Sequence, residues 1–294
     1  MDEPDWLAHR FEEQRPRLKG VAYRMLGSLA EADDAVQETW LRLSRAGADG
    51  VADLGAWLTT VVARVCLNVI RTRKSRREDV VGVHLPDGFI SREDEVDPEY
   101  EAVLADSVGL ALQVVLDTLA PAERLAFVMH DMFDVPFNDI ASMVGRTPEA
   151  TRQLASRARR RVHGMTSTPD PNLVQQRQVV DAFFAAARGG DFEALVAVLH
   201  PDVVLRADGG VSRPKLSRTI RGAEAVARSA QSAAMPTAVL RPVLVNGAAG
   251  VLVLVNGRLF SVMAFTVNTG KVVEIDVIAD PERLSQLEFD LSLA

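Results

Sequence analysis

Two clusters of cationic side chains are the residues of this sequence best suited to chemistry, and that chemistry is the binding of a polyanion. The first cluster has five cations within one seven-residue stretch: Arg71, Arg73, Lys74, Arg76 and Arg77. The second has four cations within five residues: Arg157, Arg159, Arg160 and Arg161. Cations at this density are typical of contacts with DNA phosphates. The competing interpretation is that they only solvate two helix ends.

The second cluster ends a segment whose turn residues predict two helices joined by a tight turn. The first helix is expected over 138–144 and ends at Gly145. Thr147 can cap the second helix, and Pro148 can take its first position, where a missing N–H costs nothing. Helices joined in this way form a helix-turn-helix. The side chains expected to face the first helix are Ala150, Leu154, Ala158 and Val162.

The outward face of this segment carries hydrogen-bond donors that are suited to DNA. The expected DNA contacts are Arg146, Thr147, Arg152, Gln153, Ser156, Arg157, Arg159 and Arg160. Residues early in the second helix can reach base edges in the major groove, where arginine matches guanine and glutamine matches adenine. The later arginines are better placed to hold phosphate.

The first cationic cluster ends a helix that is predicted to begin near Trp57. Arg64, Asn68 and Arg71 fall at i, i+4 and i+7 and form a polar stripe beside its apolar face. Arg73 and Lys74 follow in the cationic tail. Such a helix is suited to binding a separated DNA strand. Its cations would contact the phosphates, and its amide would contact the exposed bases.

Acidic residues are segregated in the same way. Residues 30–43 are predicted to form a helix whose first turns are acidic, which complements the helix dipole and could equally dock a basic partner helix. Residues 78–106 carry ten acids and one base, Arg92, without helical periodicity. This composition predicts a long acidic linker.

The elements that position these residues fall into three predicted domains. Apolar residues at helical spacing predict two small all-α domains, 1–77 and 108–165, joined by the linker 78–107. A Thr-, Ser- and Pro-rich linker, 166–171, precedes the last domain, 172–294. That domain is expected to contain two helices, then strands over 239–245, 251–255, 259–267 and 271–278 joined by Asn-Gly and Asn-Thr-Gly turns. The expected fold is therefore multidomain, with two all-α domains followed by an α+β domain.

Composition excludes several classes of protein. The chain has 294 residues, of which 48% are apolar and 25% charged, as in globular proteins of more than one domain. Its single cysteine, Cys66, excludes an internal disulfide and a thiolate metal cluster. No uninterrupted apolar run reaches the length of a membrane span, and the N-terminus is acidic where a signal peptide is basic. We expect a cytoplasmic protein without membrane contact, whose net charge of −7 disfavours indiscriminate DNA binding.

Several motifs resemble one protein family. The run DDAVQETWL over 33–41, followed by AWLTTVVAR over 56–64 and the basic tail, resembles region 2 of an extracytoplasmic-function (group IV) RNA polymerase sigma factor. The run LAPAERLAF over 119–127, with the helix-turn-helix after it, is similar to region 4 of the same family. The resemblance covers about residues 8–77 and 108–163. Two motifs in the right order are far more specific than either alone.

The resemblance implies partners and roles. Core RNA polymerase would be bound, through the clamp helices of its largest subunit, by Asp33, Asp34, Gln37, Glu38 and Leu41. Promoter DNA would be contacted at the −10 element by the stripe of Arg64, Asn68 and Arg71 and at the −35 element by the helix 148–162. The acidic linker would enter the basic cleft of the polymerase, because its carboxylates imitate a phosphate backbone. No cofactor and no metal is implied.

The last domain resembles a SnoaL-like domain of the nuclear transport factor 2-like fold. Three segments resemble motifs of the sigma factors that carry such a domain: Asp208-Gly209-Gly210, His84-Leu85-Pro86-Asp87, and the pattern of Asp280, Pro281, Arg283 and Leu284. The resemblance implies that the domain regulates the chain in cis through intramolecular contact with regions 2 and 4.

Two other functions compete with this interpretation. An enzymatic C-terminal domain would use Asp208, Glu274 or Asp276, and Asp276 would serve as a base if burial raised its pKa. Glu274 and Asp276 are expected on one strand face, yet no acid-base partner of known type accompanies them, so we expect no enzyme activity. The other alternative is a one-component helix-turn-helix regulator whose C-terminal domain senses a small molecule.

Overall fold

The computed structural model describes residues 3–48, 50–76, 85–88, 90–91, 109–165, 170 and 172–287. These residues form two compact units. The helical unit contains 3–48, 50–76 and 113–165, and the C-terminal unit contains 85–88, 90–91, 109–112, 170 and 172–287. Apart from 109–112, the described residues of both predicted all-α domains therefore lie in one unit, and the other consists mainly of the predicted α+β domain. The predicted fold class is confirmed.

Three long helices form the first part of the helical unit. They are α1 (Glu3–Leu26), α2 (Leu29–Ala46) and α3 (Leu54–Arg76). Ser28 caps α2, because its Oγ accepts a hydrogen bond from the Glu31 N–H at 3.5 Å. All three helices pack against one another. Their buried side chains include Leu18, Tyr23, Val36, Leu43, Leu58 and Val62.

The helix α3 is long and apolar enough over Leu54–Arg73 to meet the composition test for a membrane span. A core helix of a globular domain passes the same test. Leu58, Val62 and Cys66 are fully buried against the rest of the protein, and charged residues interrupt the exposed side of the helix. Packing of α3 between α1 and α2 therefore accounts for its composition.

The later helices of the helical unit contain the predicted helix-turn-helix. They are α4 (Gly109–Thr118), whose first four residues lie in the C-terminal unit, α5 (Pro121–Phe127), α6 (Phe137–Val144) and α7 (Pro148–Met165). A π-helical turn, Val128–Met132, follows α5. Gly145 ends α6 with a left-handed φ of 69°. The Oγ1 of Thr147 accepts a hydrogen bond from the Ala150 N–H at 3.2 Å, so the predicted cap of α7 is confirmed.

The C-terminal unit is built on a seven-stranded sheet. Its strands are β1 (Ile90–Ser91), β2 (Leu199–Asp208), β3 (Arg218–Arg221), β4 (Val239–Val245), β5 (Ala248–Val255), β6 (Arg258–Asn268) and β7 (Lys271–Ile278). Their order across the sheet is β1-β4-β5-β6-β7-β2-β3, and among these described strands only β2 and β7 pair in parallel. Its helices are α8 (Leu173–Gly189), α9 (Phe192–Val198), α10 (Ala223–Ala233) and α11 (Pro281–Ser285).

Helices α8, α9 and α10 pack on one face of this sheet. Phe183, Leu195 and Val226 from these helices share a buried apolar core with Phe265 and Ile275 of the strands. The predicted meander from β4 to β7 is confirmed. Its first two hairpin turns have positive φ at Asn246 and Asn256 and at the glycine after each, as type I′ turns require.

Five described elements of the C-terminal unit were not predicted: β1, β2, β3, α10 and α11. The strand β2 pairs with β7, which lies far away in the sequence, so no hairpin turn announces it. It also contains His200-Pro201-Asp202, which interrupts any apolar alternation. The strand β1 is formed by two residues of the predicted acidic linker and pairs with the edge strand β4.

Candidate nucleic-acid interface

The outward face of α7 presents the predicted DNA-contacting side chains to solvent. Arg159 is partly buried, and the exposed members of the set are Arg146, Thr147, Arg152, Gln153, Ser156, Arg157 and Arg160. The buried face of α7 consists of Thr151, Ala155, Ala158 and Val162. Ala150 and Leu154, which were expected there, are only partly buried. A strict four-residue repeat drifts around a helix that has 3.6 residues per turn, and the observed set follows the turn.

Carboxylates of α5 and of the π-helical turn form ion pairs and a hydrogen bond with arginines of α7. Glu123 of α5, whose side chain is 12% exposed, lies 3.9 Å from Arg157 and 3.6 Å from Arg161. Asp131 of the π-helical turn accepts a hydrogen bond from Arg159. These carboxylates restrict the positions of the guanidinium groups on the surface of α7. They were missed in the sequence because each pair joins residues of different helices.

The predicted stripe of α3 is exposed along its whole length. Arg64, Asn68 and Arg71 all face solvent. Arg64 also donates a hydrogen bond to the Ser142 carbonyl oxygen of α6 at 3.3 Å. This bond joins the stripe expected at the −10 element to the first helix of the helix-turn-helix.

The cationic tail of α3 is placed differently from the stripe. Arg73 Nε donates to Glu31 Oε1 at 2.9 Å, and its Nη1 donates to the Leu26 carbonyl oxygen at the end of α1 at 3.0 Å. Arg73 therefore stabilises the α1–α2 connection, and a DNA contact by this residue would have to break these bonds. Lys74 lies in the last turn of α3, and its side chain is outside the described residues.

The acidic face of α2 is available to a partner. Asp33, Asp34, Gln37 and Leu41 are exposed, and Glu38 is partly buried. Asp33 forms an ion pair with Lys19 at 2.8 Å, and Glu38 forms one with Arg42 at 3.0 Å. Leu41 is 37% exposed although it is a large apolar residue. A face that joins carboxylates to an exposed leucine suits a helix with basic and apolar residues.

Buried hydrogen bonds connect α1 to the later helices of the helical unit. Arg124 of α5 donates from Nε and Nη2 to the Arg24 carbonyl oxygen at 3.1 and 2.9 Å, and it also pairs with Asp117. Gln113 of α4 donates to the carbonyl oxygens of Tyr23 and Arg24 at 3.2 Å each. The Tyr23 carbonyl oxygen also accepts a hydrogen bond from the Gly27 N–H at 2.8 Å, so these side chains add donors at the C-terminal end of α1, where the helix itself supplies few. Side chains of α4 and α5 thereby contact the C-terminal end of α1.

The predicted regulatory motifs meet in the C-terminal unit. Asp208, at the end of β2, is buried, and its Oδ2 accepts hydrogen bonds from the Leu85 N–H at 3.0 Å and from Arg283 Nη1 at 2.8 Å. Arg283 also donates to Asp87 Oδ1 from Nη2 at 2.6 Å and from Nε at 3.0 Å. We call Leu85, Asp87, Asp208 and Arg283 the linker clasp. His84 lies outside the described residues.

The other motif residues determine the backbone conformation next to the linker clasp. Asp280 caps α11 by accepting a hydrogen bond from the Glu282 N–H at 3.1 Å, Pro281 takes the first helical position, and Leu284 is buried. Gly210 has a φ of 61°, and a Cβ there would lie 2.2 Å from Asp280 Oδ2. A Cβ on Gly209 would lie 2.1 Å from the Arg213 carbonyl oxygen. Both glycines are therefore required where they stand.

Glu274 and Asp276 lie on one face of β7, as expected, but they have a partner that the sequence did not reveal. Arg206 Nη1, on the neighbouring strand β2, lies 3.3 Å from Glu274 Oε2 and 3.1 Å from Asp276 Oδ1. The opposite face of β7 carries Ile275, which packs into the core beneath the helices. The acids are thus buried ion-pair partners. Burial raises the pKa of Asp276 from 3.8 to about 6, against the opposing effect of Arg206.

This raised pKa predicts a pH-dependent stability. The stability that Asp276 contributes is fully present below its unfolded pKa, near 4, and is lost as the pH rises through about 6. We expect Asp276→Asn to stabilise the C-terminal unit by roughly 1–3 kcal/mol at pH 8 and to change it little at pH 4. Hydrogen exchange of the β6 and β7 amides at both pH values measures this difference. If Asp276→Asn destabilised the C-terminal unit more at pH 8 than at pH 4, the raised pKa of Asp276 would be contradicted.

Comparison with known proteins identifies the family of this chain. Residues 10–76 match the family model of sigma-70 region 2, and residues 109–162 match that of sigma-70 region 4. The ECF RNA polymerase sigma factor SigJ of Mycobacterium tuberculosis is 37% identical over 94% of this chain and 92% of its own length. The probable ECF RNA polymerase sigma factor SigI of the same organism is 35% identical over 97% and 96%.

A solved structure extends the similarity to the fold. The crystal structure of M. tuberculosis SigJ superposes with a TM-score of 0.76 at 36% identity, and the match covers 95% of this chain and 98% of that one. The similarity thus spans both the helical and the C-terminal units. Since relatives that are 37% and 35% identical cover nearly the whole chain, the chain belongs to the extracytoplasmic-function family of RNA polymerase sigma factors.

Proposed function

We propose that three surfaces of the helical unit each bind a different partner during promoter recognition. The acidic face of α2 binds the clamp helices of the largest polymerase subunit, the stripe on α3 holds the melted −10 element, and α7 reads the −35 element. The observation that carries this proposal is the simultaneous exposure of these faces, because each presents the side chains that its partner requires. The protein would act in the cytoplasm, where the polymerase is.

The helical unit must open for both DNA surfaces to work at once. The −10 and −35 elements are roughly 25 base pairs apart, or about 80 Å along the duplex. In the free chain, however, Arg64 of the −10 stripe is hydrogen-bonded to α6 of the helix-turn-helix. Arg124 and Gln113 make further bonds between the same two modules. We infer that binding of core polymerase separates regions 2 and 4.

A distance measurement tests this opening. Cys66 is the only native cysteine and is buried, so labels attach selectively to new cysteines at exposed positions. Ser44→Cys on α2 and His163→Cys on α7 provide such positions outside the proposed contacts. Energy transfer between the labels is expected to be strong in the free chain and to fall sharply when core polymerase is added. An unchanged signal in a transcribing holoenzyme would contradict the opening.

The C-terminal unit is proposed to regulate the chain in cis by holding the linker. The linker clasp fixes Leu85 and Asp87 of the acidic linker, and β1 adds the next linker residues to the edge of the sheet. A linker held in this way is withheld from the polymerase cleft that the acidic segment is expected to enter. Intramolecular contact of the C-terminal unit with regions 2 and 4 belongs to the same proposal, since a tethered domain has a high effective concentration.

Breaking the clasp is expected to release the linker. Arg283→Ala removes the donor shared by Asp87 and Asp208 and leaves two carboxylates without it, at a cost of about 1–3 kcal/mol to the docked state. We expect several-fold more transcript from a cognate promoter at limiting protein concentration, as measured by run-off transcription. Arg228→Ala is the matched control, because Arg228 forms an exposed ion pair with Glu224 in the same unit. Equal transcript from both variants and the unaltered chain would exclude regulation through the clasp.

A further inference from the structure

A third basic segment lies in the C-terminal unit, and promoter recognition by regions 2 and 4 does not use it. Residues 211–221 contain four cations, Arg213, Lys215, Arg218 and Arg221, and no acid. The net charge of the whole chain is −7, so its overall composition does not explain four cations without an acid in this segment.

The fold places this segment at an open edge of the sheet. The strand β3 is the last in the strand order, and within the described part of the chain it pairs with β2 alone. Lys215, in the 3₁₀ turn before β3, is exposed, and so are Arg218, Thr219 and Arg221 of the strand itself. The outer side of such a strand also presents backbone N–H groups. We call Lys215, Arg218 and Arg221 the basic edge.

The fourth cation of the segment has a structural role. Arg213 donates to the carbonyl oxygens of Phe260 and Ala279 at 3.0 Å each, and its guanidinium lies 4.6 Å from the centre of the Phe260 ring. It therefore joins the loop after β2 to β6 and to the end of β7. This residue is not part of the basic edge.

The basic edge is not neutralised by carboxylates of the described residues. Arg218 donates to a hydroxyl, Ser229 Oγ, at 3.0 Å, and none of the three cations lies within ion-pair distance of a described Asp or Glu. Three other arginines of the unit do pair with carboxylates: Arg206 with Glu274 and Asp276, Arg228 with Glu224, and Arg283 with Asp87 and Asp208. The basic edge thus retains its positive charge toward solvent.

We propose that the basic edge binds the sugar-phosphate backbone of duplex promoter DNA. Exposed cations on an extended edge, together with hydroxyl and backbone N–H donors, form the set that contacts phosphates without reading bases. The inference rests on the proposed function, since promoter binding brings duplex DNA to the protein. The C-terminal unit would then add a contact that is independent of sequence to those made by regions 2 and 4.

The salt dependence of promoter binding tests the proposal. The holoenzyme carrying Lys215→Gln, Arg218→Gln and Arg221→Gln is compared with the unaltered holoenzyme on a promoter fragment that extends upstream of the −35 element. Each phosphate contact contributes about 0.9 to the slope of log K against log salt concentration. We therefore expect the magnitude of this negative slope to decrease by about two to three in the triple variant. The preference for promoter over non-promoter sequence should be retained.

A matched control changes net charge by the same amount. Arg10→Gln, Arg15→Gln and Arg228→Gln remove three arginines that form ion pairs with Glu13, Glu12 and Glu224; Arg10 and Arg228 are exposed, and Arg15 is partly buried. This control should leave the slope unchanged. If the unaltered holoenzyme binds its promoter but the basic-edge variant has the same slope, the proposal is overturned. Weaker core polymerase binding with an unchanged DNA slope would also overturn it, and would identify the edge as a protein contact. Failure of the unaltered holoenzyme to recognise any promoter would refute the proposed function itself.

Discussion

Replacing Arg124 with methionine is expected to lower the free energy of unfolding of the helical unit by about 1–3 kcal/mol, because the change removes a buried guanidinium that donates hydrogen bonds from α5 to α1. The change removes the partner of Asp117 and both hydrogen bonds to the Arg24 carbonyl oxygen. All three tryptophans, Trp6, Trp40 and Trp57, lie in the helical unit. Urea unfolding of the full chain followed by tryptophan fluorescence therefore reports on this unit.

An exposed arginine provides the control for this stability measurement. Arg10 pairs with Glu13 on the surface of α1, and Arg10→Met should change the free energy of unfolding by less than about 1 kcal/mol. A similarly small effect for Arg124→Met would show that the buried bonds between α1 and α5 do not hold the helical unit together.

Transcription that depends on the −35 element is expected to fall about 10- to 100-fold when Arg152 and Gln153 are both replaced with alanine. Both side chains are exposed near the start of α7, where base edges are within reach. Run-off transcription on a promoter that the unaltered chain selects measures the loss.

The same template with a scrambled −35 element is the control for the recognition helix. On that template the double variant and the unaltered chain should give equal amounts of transcript, since neither finds the bases that it reads. An equal loss on both templates would mean that the two residues act on folding or on polymerase binding and not on base recognition.

The helix-turn-helix could be predicted because its signals are local. Gly145, Thr147 and Pro148 fix the turn and the start of α7 through their own backbone preferences. The hairpins at Asn246 and Asn256 were predictable for the same reason, since each turn is set by two adjacent residues. The exposed stripe on α3 follows from helical geometry alone.

The interactions that were not predicted connect residues far apart in the sequence. Arg206 meets Asp276 only because β2 and β7 pair in parallel, and no spacing announces that pairing. Glu123 similarly reaches Arg157 only through the packing of α5 on α7. Arg73 was predicted to contact DNA because it belongs to a cationic cluster. Its hydrogen bond to Glu31, which lies in another helix, could not be predicted from that cluster.

The linker clasp shows how far motif resemblance leads. Asp208, Asp280 and Arg283 could be identified from the sequence as regulatory candidates, but the contacts that they make could not. The structure joins the Leu85 N–H to Asp208, and it joins Arg283 to both Asp208 and Asp87. Only a fold that brings the linker to the end of β2 could reveal these hydrogen bonds.

Transcription from a random promoter library with purified core polymerase tests the central claim most directly. With the chain present, sequencing of RNA 5′ ends should show starts at fixed positions on templates that share two separated elements, upstream of the start. Starts distributed as with core polymerase alone would contradict the assignment of the α2, α3 and α7 surfaces to promoter recognition.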